Sequence, residues 1–254
     1  MDDKTAQMLS RLTREFYSEV ASSFSATREA PWQGWRSVAD EVGPLADGAS
    51  LKILDLACGN LRFERFLVGA FPDTPLDVHA YDECDPLVGE ADIPGATVHF
   101  RHLDVAETLF AHGDLGDALG AEECDLAVCF GFMHHVPLPA QRESILATLV
   151  EAVRPGGLVA VSFWQLSNSP RLLKKAEEVT ALASERLDIE GLAKGDYLLG
   201  WQDRTDVLRY CHDFDEEEVD ALAGAVSPAA REAARFSADG KEGNLNRYLI
   251  LMRL

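Results

Sequence analysis

The chain has 254 residues, 47% of them hydrophobic and 26% charged, proportions that exclude intrinsic disorder, collagen-like repeats and low complexity. A chain of this length buries about 70–75% of the surface its unfolded form exposes, so a large core is expected. Lysine and arginine number 23 against 43 acidic residues, a formal net charge of −20 that repels polyanions at long range; a nucleic-acid substrate would have to meet a local basic patch or a partner subunit.

No apolar run approaches the roughly 18 residues of a membrane helix. The polar start, Met1-Asp-Asp-Lys4, carries no targeting pattern, and a cytoplasmic location is expected. The five cysteines (Cys58, Cys84, Cys124, Cys129, Cys211) are an odd count without C-x-x-C spacing, which points to reduced buried thiols rather than a disulfide framework, and no metal site is expected.

Leu9, Leu12, Phe16 and Val20 recur at helical spacing, predicting a helix that ends near Ser22-Ser23. Pro31 and Gly34 mark an irregular segment, and a second helix covers Trp35 to Val42. From Leu51 onward, short apolar strands alternate with amphipathic helices. Strands are predicted at Lys52–Leu56, Leu76–Tyr81, Thr97–His102, Asp125–Phe130 and Leu158–Phe163, with helices at Leu61–Ala70 and Gln141–Val153. Such alternation makes parallel βαβ units, and strands that are apolar almost throughout are covered on both faces.

Ser169-Pro170 reads as an N-cap and first helical residue, opening a helix to about Glu185 inside an insertion spanning 166–212. A helix near Glu216–Ala225 follows. Glu232–Ala238 and Arg247–Met252, joined by Gly240-Lys-Glu-Gly243, form a terminal hairpin. The expected architecture is a single α/β domain over 1–254. Its Rossmann-like, doubly wound, seven-stranded sheet is mostly parallel with an antiparallel C-terminal hairpin strand. An N-terminal helical cap (1–45) and a helical lid (166–212) complete it.

Leu51-Lys-Ile-Leu-Asp-Leu-Ala-Cys-Gly-Asn60 runs from the first strand into a tight turn, where ligands bind in open α/β sheets. The loop offers only Gly59, and an acid at the strand end, Asp55, suits a cation better than a pyrophosphate. Asp82 ends the second strand; a carboxylate there can accept from both hydroxyls of a ribose, the plainer reading being a turn residue. Asp104-Val105 follows the third strand, Phe130-Gly-Phe-Met-His-His-Val-Pro137 the fourth, and Val153-Arg-Pro-Gly-Gly157 precedes the fifth.

These marks resemble the class I S-adenosylmethionine-dependent methyltransferases, whose first motif is usually D-x-G-x-G-x-G. The departures are Ala57 at the first glycine, tolerable if its φ stays negative, and Leu61 at the third. The resemblance implies S-adenosylmethionine as cofactor, with Asp55 facing its ammonium, Asp82 its ribose, and Asp104 and Val105 its adenine; Tyr17, Arg28, Ala57, Gly59 and Phe130 complete the expected cofactor set. Tyr17, Val20-Ala21, Phe24-Ser25, Thr27-Arg28, Trp32, Gly195–Trp201, Arg209-Tyr-Cys-His212 and Asn246–Leu251 further resemble the tRNA wobble-uridine carboxymethyl methyltransferases. That family implies a tRNA carboxylate as acceptor and a small zinc-containing activator protein covering a sheet edge.

On the acceptor side the candidates are His134, His135, Trp164, Arg209 and Tyr210. Transfer to a carboxylate needs no base, and Arg28 or Arg209 could grip the substrate or the cofactor's own carboxylate bidentately. A hydroxyl or amine acceptor needs one, and His134 or His135 would serve; steric gating by the histidines, and core packing for Tyr210, are the plainer readings. Arg171, Lys174 and Lys175 share a helical face, a phosphate patch or simply a solvated surface. Two other functions stay open: a small-molecule O- or N-methyltransferase, favoured by the charge of −20, and a cofactor-free scaffold, suggested by Ala57 and Leu61.

Overall fold

The computed structural model describes residues 1–27, 30–46, 50–85, 92–202 and 204–254. Helix α1 (Asp3–Ala26) opens on Asp2, whose carboxylate accepts the Thr5 N–H at 2.8 Å. Its stripe of Ala6, Leu9, Phe16 and Val20 is buried. The helix runs past Ser22-Ser23 because Phe24 packs against Tyr17 and Trp201; that tertiary contact outweighs the weak helix preference of serine. Helix α2 (Gly34–Val42) follows.

The parallel strands are β1 (Leu51–Leu56), β2 (Leu76–Asp82), β3 (Ala96–His102), β4 (Cys124–Cys129) and β5 (Val153–Trp164). With β8 (Ala230–Ala238) and β9 (Asn246–Arg253) they form one seven-stranded sheet in the order β3-β2-β1-β4-β5-β9-β8. Strand β9 runs antiparallel to both neighbours, as the terminal hairpin predicts. Leu54 and Leu56 face one core layer, with α5 (Pro139–Ala152) and α7 (Glu216–Val226), while Ile53 faces the other, with α2 and α3 (Arg62–Ala70). This period of two along β1 is what a sheet covered on both sides requires. Strand order reverses between β1 and β4, which opens a crevice beyond their carboxyl ends.

Two elements escaped the sequence reading. Helix α4 (Val105–His112) is capped by Asp104, which accepts the Glu107 N–H at 2.8 Å. In the insertion, helix α6 (Pro170–Leu187) forms as expected, although the Ser169 side chain makes no capping bond. It is followed by an antiparallel pair, β6 (Asp196–Trp201) and β7 (Arg204–His212). The Leu198 N–H reaches Thr180 of α6 at 2.8 Å and the Tyr210 N–H reaches Thr13 of α1 at 3.0 Å. The N-terminal segment and the insertion therefore pack on one another, and residues of both line the crevice.

Candidate active site

A cavity of about 500 Å³ lies at the strand tips, within the range of small-molecule sites. The turn after β1 forms its floor. Ala57 has φ of 63°, Gly59 56° and Leu61 55°, so the expected negative φ at Ala57 is not found. The reversal is what lets the Cys58 N–H reach the Tyr81 carbonyl at 3.0 Å and the Gly59 N–H reach Asp82 at 2.8 Å. Two non-glycine residues here carry left-handed strain. Leu61 pays with a fully buried side chain in the α2/α3 core layer and is not part of the cavity wall.

Asp55 and Asp82 both line the cavity. Asp82 also accepts the Cys84 N–H at 2.8 Å, yet burial still raises its pKa, with the two backbone bonds opposing. Each of its oxygens keeps a second lone pair for a ligand hydroxyl. Asp104 is placed differently from the reading. One oxygen caps α4 and the other meets Arg14 at 2.5 Å, and it is absent from the cavity lining, which Val105 joins. Glu83, which the sequence reading overlooked, lines the wall instead; burial, with Asp104 and Asp82 nearby, pushes its pKa to about 7. Its only sequence signal is its position next to Asp82. Arg28 lies outside the described residues.

Tyr17, Phe130, His134, His135, Trp164 and Arg209 all reach the cavity. His134 and His135 sit on a single 3-10 turn after β4. The Nδ1 of His135 lies 2.7 Å from the Tyr210 carbonyl, which can only accept, so Nδ1 carries the hydrogen. Nε2 then accepts from the Tyr17 hydroxyl at 2.8 Å. Both His135 nitrogens are thus engaged, and the His134 ring lies 4.6 Å, ring to ring, from Trp164.

The Tyr210 side chain is not part of the wall. Its hydroxyl donates to Asp196 at 2.6 Å and accepts from Arg142 at 3.1 Å, so Tyr210 bears on the site through its carbonyl. His134, His135 and Cys211 place ligand-type atoms within 4.8 Å of one another. Burial pushes the Cys211 thiol up to about 11, and both His135 nitrogens already have hydrogen-bond partners.

Arg209 is buried, with its guanidinium 4.8 Å from the Phe16 ring centre and 5.8 Å from that of Trp164. Its Nε has no hydrogen-bond partner, and its weak 3.5 Å contact is with the Tyr17 hydroxyl. Among the described residues no carboxylate pairs with it. A buried cation without a counter-charge is costly.

These features fit S-adenosylmethionine. Asp55 offers negative charge for its ammonium, Asp82 offers acceptors for its ribose, Val105 offers an apolar wall for its adenine, and no atom lies within 4 Å of where a Cβ on Gly59 would stand.

No family model matches the chain. In sequence it is 28% identical over 213 residues to a putative methyltransferase of Encephalitozoon cuniculi, covering 84% of each. It is also 22% identical over 170 residues to the tRNA (carboxymethyluridine(34)-5-O)-methyltransferase ALKBH8 of Macaca fascicularis, covering 65% of this chain and 22% of that protein; the match thus spans about a fifth of that relative. A solved S-adenosylmethionine-dependent methyltransferase from Methanosarcina mazei shares the fold with a TM-score of 0.59 at 16% identity, over 84% of this chain and 97% of its own. The strand order and these relatives together identify the fold as that of the class I S-adenosylmethionine-dependent methyltransferases, with an acid-lined cavity at its switch point.

Proposed function

We propose that the methyl acceptor is a carboxylate, and that it is the carboxymethyl group of a tRNA wobble uridine. The observation that carries the first half is Arg209, a buried guanidinium at the cavity wall with no acidic partner among the described residues. An anionic acceptor would supply the missing counter-charge and receive two parallel hydrogen bonds. The bound cofactor supplies an electrophilic methyl group on a sulfonium. The protein's part is to align the acceptor, with Arg209 holding the carboxylate and Trp164 and Tyr17 keeping water from it. No base is required, which accords with a His135 ring whose two nitrogens are already bonded.

The second half is supported by the relatives named for carboxymethyluridine methylation. A small zinc-containing activator belongs to the same proposal; alternate residues of the edge strand β3, Thr97, His99 and Arg101, are exposed there. A small-molecule acceptor is the second reading, favoured by the net charge of −20. Incubation with labelled cofactor and either bulk tRNA or a metabolite extract separates the two. Label that is RNase-sensitive and released by mild alkali, as a methyl ester is, supports the proposal; RNase-resistant label rejects tRNA, and alkali-stable label rejects the carboxylate.

A further inference from the structure

Behind Asp55 stands a second acid. Glu64, in the first turn of α3, is fully buried, and Asp55 is only 3% exposed. Among the described residues, no N–H of another residue donates to either Glu64 oxygen. The polar group set against it is the Asp55 carboxyl. Asp55 lines the cavity and Glu64 does not.

The other titratable groups that act on the pair bring no compensating charge into the pocket. Asp82 comes from β2 and adds repulsion, while Cys58 in the turn and Cys129 of β4 are held as neutral thiols by burial. Among the described residues the cation acting on Glu64 is Arg65, on the exposed side of α3, and its Nη1 donates to the Asn60 carbonyl. Burial raises both carboxyls. Two adjacent carboxylates without a counter-ion in a dry site keep one proton between them.

We propose that Glu64 is a positioning residue that takes up this shared proton whenever a cationic amine lies against Asp55, and as a neutral acid donates a hydrogen bond that aims the Asp55 carboxylate. The step is internal: the proton leaves an Asp55 oxygen and joins a Glu64 oxygen, the amine keeps its own hydrogens, and none is exchanged with solvent. This favours a single oriented negative charge at the cavity wall, since a cation stabilises the ionised form of the acid it faces. The assignment rests on the methyltransferase reading, because it needs an amine-bearing ligand at Asp55.

Calorimetric titration of the full chain with S-adenosylhomocysteine near neutral pH tests it. The expected enthalpy is the same in phosphate and in Tris, and Glu64→Gln, which keeps a neutral donor, binds within about threefold of the wild type, whereas Glu64→Ala, which leaves Asp55 unsupported, binds about tenfold or more weakly. Infrared difference spectra should show a protonated carboxyl in the wild-type complex that is missing in Glu64→Gln. A buffer-dependent enthalpy, no such band, or a tenfold loss in Glu64→Gln would overturn the proposal, and the wild-type enthalpies and band decide it even if a variant does not fold. Failure of the wild type to bind at all overturns the methyltransferase reading itself.

Discussion

The carbonyl of Tyr210 accepts the Nδ1 hydrogen of His135 at 2.7 Å. That bond ties the inserted hairpin to the turn after β4 and fixes one tautomer of a ring at the cavity wall. Arg142 reinforces the tie, donating to the Val136 carbonyl at 2.8 Å and to the Tyr210 hydroxyl at 3.1 Å. The insertion is thus held to the site by hydrogen bonds as well as by apolar contact, and tyrosine 17 completes the arrangement from α1.

Replacing Tyr17 with phenylalanine removes the hydroxyl that donates to His135 Nε2 in a buried site. A stability loss of about 1–3 kcal/mol is expected in urea denaturation, together with lower methyl transfer. An unchanged denaturation midpoint would show that the 2.8 Å contact contributes nothing.

Arg209→Met removes a buried charge that has no acidic partner among the described residues. The expected outcome is unchanged or increased thermal stability, near-normal S-adenosylhomocysteine binding, and a loss of transfer of about a hundredfold or more. If cofactor binding falls in step with activity, the guanidinium holds the cofactor rather than the acceptor.

The buried His212 ring lies 2.7 Å from Asp196 and 2.8 Å from Glu218. Burial alone would lower its pKa, but these two bonds raise it, and they hold both carboxyls below their usual values against the opposing effect of burial. The histidine's contribution is fully present below its unfolded value of about 6.5 and is lost as pH rises through the raised folded value; the carboxylates' contribution is present above about 4.5 and is lost as pH falls. The stability difference between wild type and His212→Gln should therefore be largest between about pH 4.5 and 6.5 and shrink on both sides. A difference that is flat from pH 4 to pH 9, roughly the span of these titrations, would refute the pairing.

Ala57→Gly should stabilise the chain by up to about 1 kcal/mol, since relief of a left-handed alanine exceeds the entropy glycine loses on folding. Thermal denaturation with and without cofactor product checks it. Gly34→Ala should do the reverse by about 1–3 kcal/mol, because a Cβ there would stand 2.3 Å from the Tyr248 ring.

The sheet was legible because its strands are apolar on both faces and punctuated by turn residues, a signal that each segment carries by itself. Helix α4 was not, since Val105–His112 is short and shows little amphipathic contrast. The β6–β7 pair was also missed: Asp196, Arg209 and His212 break the expected apolar run, and they are tolerated in burial because Asp196 and His212 pair with each other while Arg209 lies among aromatic rings. For the site, Asp55, Gly59 and Asp82 could be placed from strand ends alone. Asp104 could not, because whether an acid after β3 faces a ligand or caps the next helix depends on Arg14, 90 residues away.

The order of apolar segments determined the sheet and the switch point, since each follows from residues close together in sequence, while the cofactor class came from the resemblance that the strand-end motifs carry. Which polar groups converge was decided only in three dimensions. Arg209 among four aromatic rings and His135 between Tyr17 and Tyr210 are meetings of distant elements, and Glu64 meets Asp55 only because α3 folds back over β1. Their charges and tautomers are set by burial and by partners that no local pattern specifies.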